Sequence, residues 1–206
     1  MLYNIKKMQY TINSAPSHRV RTRRNRWAFA VIGLFLLILG VYLSILLITP
    51  KIQKKSPQQI QKSASELPVY DKNTIFIPSV GVQSEIGQGG PAVLDKGLAW
   101  NRLPEQGNPV KGGNMVITGH SFVWGYDPSQ VTKRSIFYDL KNAKVGGDVL
   151  INWYGKQYKY TITKVKTVKP SSVEIENQSS EPMLTIYTCT LGGSADGRVV
   201  VIAKPS

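Results

Sequence analysis

Cysteine is nearly absent: Cys189 is the only one among 206 residues. A disulfide framework within the chain is thereby excluded, and the fold must rest on its apolar core. A lone thiol is either a small buried hydrophobe or a reactive group. Histidine is almost as scarce, with only His18 and His120. Acid is missing from residues 1–26, which carry Lys6, Lys7, Arg19, Arg21, Arg23, Arg24 and Arg26. Such a basic run suits a nucleic-acid-binding tail. The apolar stretch directly behind it excludes that reading.

Charge of either sign is missing from Trp27 to Ile48, 22 residues rich in Leu, Ile, Val and Phe. As a helix this stretch would measure roughly 33 Å, enough to cross a hydrocarbon core. Trp27 takes the position of an interfacial aromatic. The basic cluster ahead of it outweighs Lys51, Lys54 and Lys55 behind it, which predicts a cytoplasmic N-terminus and an exported remainder. The apolar run exceeds a signal-peptide core, and no small-x-small cleavage site follows Ile48, so a retained signal anchor is expected. The chain therefore divides into a basic cytoplasmic tail (1–26), a transmembrane signal anchor (27–48), a polar tether (49–66) and one folded domain (67–206). Its residues 51–66, fully extended, would reach about 50 Å. Lipid is the expected partner of residues 27–48, and no nucleic acid is expected.

The domain reads as strands. Residues 74–77, 80–86, 114–118, 149–154, 157–168, 183–190 and 198–203 alternate apolar with polar side chains or are β-branched and aromatic, the signature of half-buried strands. Gly155-Lys156 suggests a two-residue hairpin connection. Residues 91–98 and 136–140 read as short helical turns, and residues 103–113 and 171–182 as loops. Seven or more strands with few helices in about 140 residues predict an all-β, closed or nearly closed barrel.

Chemistry-bearing residues fall at strand tips. Met183-Leu184-Thr185-Ile186-Tyr187-Thr188-Cys189-Thr190 ends on the single thiol, and a glycine-rich turn leads into Arg198 nine residues later. Asn114-Met115-Val116-Ile117-Thr118-Gly119 runs into His120 and Ser121. A thiol needs an electropositive neighbourhood to become a thiolate, and an oxyanion needs a donor. Each residue alone has a bland explanation: a core cysteine, a structural histidine, a surface arginine. Together they form a nucleophile, an acid/base and an oxyanion donor.

These motifs resemble the sortases. Thr185-Ile186-Tyr187-Thr188-Cys189 is similar to their TLxTC signature, with Ile186 for the usual Leu. Thr118-Gly119-His120 resembles their histidine motif, and Arg198 falls at their arginine. The order His, Cys, Arg and the 69-residue spacing from His120 to Cys189 also fit. Ile77-Pro78 with Gly81-Val82, and the segment from Phe137 and Leu140 to Lys144, Gly146 and Asp148, add support, so the resemblance covers roughly residues 73–204.

The resemblance implies a membrane-anchored, single-pass cysteine transpeptidase with an extracellular head. Cys189 would attack an LPXTG-like sorting motif in secreted proteins, and the acyl group would pass to an amine of a cell-wall precursor or a pilin. His120, Cys189 and Arg198 are its expected catalytic residues, with Thr188, Phe122 and Trp124 as substrate-binding candidates. Some sortases bind calcium through acids in two loops. Here Glu105 stands near Arg102 and Lys111, with Glu174 and Glu176 on a later loop. That acid set is too poor for a calcium cage, so no metal and no organic cofactor are expected. The connection 171–182 is too short for the long extra helix of one subgroup. No Asp-Pro-aromatic lid precedes residue 73, which favours a lidless enzyme. A cysteine peptidase releasing its thioester to water and a non-catalytic envelope module would share the anchor and barrel.

Overall fold

A computed structural model of the chain describes residues 21–52, 55–66 and 72–206. The expected cytoplasmic tail therefore lies largely outside the described residues, as do 67–71 at the expected start of the domain. The structure divides at Tyr42/Leu43 into two compact units, each taken by itself. The first is helical. Its helix belongs to α1, Arg21–Ile52, in which Arg26–Lys51 is long and apolar enough to cross a membrane. It is apolar with no polar face.

The second unit is a barrel. Its strands are β1 (Thr74–Ile77), β2 (Val82–Gly87), β3 (Ala99–Asn101), β4 (Gly107–Asn108), β5 (Gly112–Thr118), β6 (Asp148–Trp153), β7 (Lys156–Val168), β8 (Met183–Thr190) and β9 (Gly193–Pro205). They neighbour one another in the order β3-β2-β1-β6-β7-β9-β8-β5-β4. A further pairing of β3 with β5 closes eight of them into a ring and leaves β4 as a flank. Closure removes the open edges that a sheet of this size would otherwise expose. The all-β barrel with short helices expected from the sequence is what the chain forms.

Strand alternation sends Ile75, Ile77, Met115, Ile117, Val149, Ile151, Leu184, Ile186, Val199 and Val201 inward, where all are buried in one cluster. A second cluster lies outside the ring. Val116, Tyr187 and Val200 on the outer face are covered by Ile175, from a 3-10 turn at Val173–Glu176 in the connection between β7 and β8.

Three local readings shift. The hairpin between β6 and β7 turns on Tyr154-Gly155, one residue earlier than expected, because Trp153 pairs with Lys156. Both turn residues have positive φ, 41° and 86°, as the turn that matches strand twist requires. Residues 128–134, given no structure from the sequence, form α4 (Pro128–Arg134). Asp127 caps it, accepting a hydrogen bond from the Gln130 N–H at 2.9 Å, and Pro128 occupies the position where its missing N–H costs nothing.

The third shift matters most for placement. The stretch expected to be a solvated tether contains α2, Pro57–Glu66. Ile60 and Ala64, one turn apart, are buried against Phe76 and Leu150 on the outside of the barrel. Gln157 Nε2 donates to the Ala64 carbonyl at 3.0 Å, and Lys55 Nζ to Gln83 Oε1 at 2.7 Å. Much of the expected tether is thus part of the folded head.

Ile60→Ala should cost about 2 kcal/mol, the low end for a buried aliphatic at a rim. Trypsin cleavage at Lys62 should accelerate in that variant while the barrel stays resistant. Equal cleavage in the unsubstituted chain and the variant would show that α2 is not docked.

Candidate active site

β5 and β8 lie side by side and parallel, with Ile117 opposite Ile186 and Thr118 opposite Tyr187. His120 follows Thr118 by two residues and Cys189 follows Tyr187 by two, so both emerge at the same end of the sheet. On the other side of β8, Cys189 is the cross-strand partner of Arg198 on antiparallel β9. Alternation then fixes the face. Ile186 and Val201 point into the barrel, whereas Thr118, Tyr187, Cys189, Val200 and Arg198 take its outer side. The structure thus brings His120, Cys189 and Arg198 to one edge of one surface. Cys189 is free and half-buried.

Thr188 belongs to the opposite face. It is buried, and its hydroxyl donates to the Gly119 carbonyl at 2.7 Å. This bond ties the residue before the cysteine to the residue before the histidine. It holds the two strand ends together. Gly119 has little room for a side chain: a Cβ there would come within 2.7 Å of Ile136 and Phe137 side-chain carbons. The Phe137 N–H in turn donates to the His120 carbonyl at 3.0 Å. The histidine backbone is therefore clamped from both sides.

Arg198 is held by its own turn. Nη1 donates to the Ser194 carbonyl at 2.7 Å and to the Gly197 carbonyl at 3.0 Å. The Thr190 hydroxyl bonds the Asp196 carboxylate across the same turn. Pairing jumps there from Cys189↔Arg198 to Thr190↔Gly193. The strand β9 thus carries extra residues at this point.

His120 is half-buried, and its pKa is lowered. Burial is the main cause, the positive charge of Arg134 adds to it, and Asp95 opposes. Arg134 Nη2 and Asp95 Oδ1 form an ion pair at 3.4 Å, linking the ends of α4 and of α3 (Ala92–Asp95). The two segments approach closely because Gly97, at φ +75°, has no side chain; a Cβ would lie 2.5 Å from the Lys133 carbonyl oxygen. Sequence reasoning missed this pair. Its one visible signal was the Asp127-Pro128 helix start.

A second polar group lies along the outer face. Arg102 Nε meets Glu176 Oε1 at 2.6 Å, and the Tyr187 hydroxyl donates to the same carboxylate. Burial, followed by the Glu176 contact, pushes the Tyr187 hydroxyl pKa up. Asn114 Nδ2 donates to the Asn177 carbonyl at 2.9 Å. These contacts pin the Val173–Glu176 turn over β5 and β8. Glu176, weighed from the sequence as a calcium ligand, is here the partner of Arg102.

Phe122 and Trp124 form an edge-to-face pair with ring centroids 5.2 Å apart, and Phe122 lies 6.2 Å from the Tyr138 ring. Phe122 is half-buried and Trp124 exposed. They sit on the segment that leaves His120, on its way to α4.

The sortase-domain family model matches residues 75–206, and the chain belongs to the sortase family. It is 30% identical over 156 residues to sortase A of Streptococcus agalactiae, covering 74% of this chain and 59% of that protein. It is 29% identical over 141 residues to sortase A of Staphylococcus aureus, covering 66% and 62%. The chain thus spans about three-fifths of the length of these relatives. Among solved structures, a sortase D5 transpeptidase of Clostridium perfringens has the same fold, with TM-score 0.54, 21% identity, 81% of this chain and 99% of that one covered. Sortase C-1 of Actinomyces oris gives TM-score 0.55 at 23% identity, covering 76% and 86%.

Arg134→Met should raise the His120 titration midpoint toward the ordinary imidazole value. The imidazolium loses a repelling neighbour, and Asp95, left unpaired, attracts it. Ring-proton NMR across the acid-to-neutral range reads this directly. An unmoved or lowered midpoint would refute the electrostatic link.

Proposed function

We propose that the protein is a membrane-anchored cysteine transpeptidase that cleaves a sorting motif in secreted proteins and transfers the acyl group to an amine. The observation that carries this reading is the convergence of Cys189, His120 and Arg198 on one edge through the β5–β8 and β8–β9 registers. Family membership supplies the reaction type. By resemblance the donor is an LPXTG-like peptide, and the acceptor is an amine of a cell-wall precursor or a pilin.

In the first half-reaction the Cys189 thiolate attacks the carbonyl carbon of the motif threonine. A carbon–sulfur bond forms, and the negative charge moves to the carbonyl oxygen. Arg198 stabilises that oxyanion. Its Nη1 is committed to the turn, so Nη2 and Nε are the donors directed to substrate. Collapse breaks the peptide C–N bond, and His120 as imidazolium protonates the departing amine. In the second half-reaction neutral His120 takes a proton from the incoming amine, which attacks the thioester, and the thiolate leaves. The lowered His120 pKa favours its neutral form near neutrality and so favours the second half-reaction. No metal or organic cofactor enters either half-reaction.

The anchor reading completes the proposal. The span within α1 holds the protein in the cell membrane in a single pass, with the N-terminus cytoplasmic and the barrel extracellular, where secreted substrates are met.

Cys189→Ala should abolish both peptide cleavage and amine transfer, since no second thiol exists in the chain. Residual transfer above background would end the assignment. Cleavage without transfer by the unsubstituted chain, across a panel of amines, would make it a peptidase instead.

Arg198→Lys should lower kcat/KM by about a hundredfold, within the usual effect of losing an oxyanion donor. A guanidinium can bond its own turn and the oxyanion at once, which an ammonium cannot. Near-normal turnover of the lysine variant would reduce Arg198 to a surface charge.

A further inference from the structure

Pairing of β8 with β9 passes from Cys189↔Arg198 to Thr190↔Gly193, so residues 194–197 have no register partner on β8. The chain curls there, and Arg198 depends on the curl. Its Nη1 donates to the carbonyl oxygens of Ser194 and Gly197 together, at 2.7 and 3.0 Å. Two carbonyls three residues apart meet one nitrogen only when the segment between them is held in a single shape. The turn residues do not supply that shape by themselves. Gly192-Gly193-Ser194-Ala195 carries no bulky side chain, and Gly193 sits at φ 95°. Glycine loses more backbone freedom on ordering than any other residue, so the turn needs a fastening.

Thr190 and Asp196 provide it. The Thr190 hydroxyl donates to Asp196 Oδ2. The Thr190 methyl lies against Gly197, where a Cβ would come within 3.2 Å of it. The Asp196 carboxylate folds back over Gly192, where a Cβ would meet its Cγ and Oδ2 at 2.7 Å. Thr190 directly follows the nucleophile in the chain, and Asp196 and Gly197 directly precede the arginine. One side chain therefore ties the first residue after Cys189 to the last two before Arg198. Asp196 is exposed and Thr190 half-buried, so water competes for the bond and its share in global stability is small. Its effect is local to the turn.

Resting on the transpeptidase reading above, we propose that Asp196 and Thr190 are positioning residues for Arg198. By shaping the turn they keep Nη1 occupied, which leaves Nη2 and Nε as the donors for the oxyanion. Neither residue touches substrate, and both act through the guanidinium. The Asp196 carboxylate serves as an acceptor, a part that the amide oxygen of an asparagine also fills.

The test uses the full chain in detergent, a fluorogenic LPATG peptide and glycinamide as acceptor. Asp196→Ala and Thr190→Val should each lower kcat by about tenfold with KM nearly unchanged, since a displaced donor is missed mainly in the transition state. The double variant should be no slower than either alone, because both substitutions remove the same bond. Asp196→Asn should keep near-normal kcat. Added to Arg198→Lys, Asp196→Ala should bring no further loss, whereas a residue that only stabilised the fold would bring the same loss in both backgrounds. Unchanged kcat in Asp196→Ala, an equal loss in the Arg198→Lys background, or a loss in Asp196→Asn as large as in Asp196→Ala would each overturn the proposal. A second readout needs no turnover: NMR of the Arg198 guanidinium, assigned by its absence from Arg198→Lys. Rotation about its Nε–Cζ bond should be slow in the unsubstituted chain and fast in Asp196→Ala, and equal rotation in the two would overturn the fastening. Rotation that quickens as expected, with no turnover by the unsubstituted chain, would sustain the fastening and remove the transpeptidase reading instead.

Discussion

Parallel pairing of β5 with β8 is what puts an imidazole and a thiol at one edge. In an antiparallel pair, the tips of two such strands would emerge at opposite ends of the sheet. A parallel pair requires a long crossover, and here the chain between His120 and β8 supplies α4, β6, β7 and the Val173–Glu176 turn before returning. The register is guarded from both faces. Inside, Ile117 and Ile186 pack in the barrel core, and a slip by one residue would send both outward. At the edge, the buried Thr188–Gly119 hydrogen bond leaves an orphaned hydroxyl if the strands slide.

Much of this was legible in the chain, and the exceptions have physical causes. Strands with sustained alternation, β5 through β8 above all, announce themselves by period. β3 does not: three residues carry no period, yet its pairing with β5 is what closes the ring. α2 was hidden because its apolar face amounts to Ile60 and Ala64 among Gln, Ser and Lys, too thin a stripe to predict a docked helix. The displaced hairpin reflects Tyr154, which adopts a positive φ usually left to glycine or asparagine.

At the candidate site, Cys189 and His120 were readable as scarce residues at strand tips, and the family pattern joined Arg198 to them. Thr188, adjacent to Cys189 on β8, faces the opposite side, where it is buried. Asp95 and Arg134 were out of reach for another reason: nothing local links residues 39 apart, and only the close approach at Gly97 brings their helices together. The Arg102–Glu176–Tyr187 group is likewise assembled from three separate segments. Both charged groups lie outside the His120–Cys189–Arg198 set, one acting on the imidazole and the other fastening a turn.

The position of β9 has a consequence for the birth of the site. This strand comes last in the sequence yet lies between β7 and β8, and it contributes Arg198. Until it inserts, β8 has no neighbour on that side and Cys189 has no cationic partner. The contacts that build the centre join residues far apart in sequence, and such contacts form slowly because loop closure must come first. A chain whose last strand is not yet in place therefore holds Cys189 without Arg198 across from it.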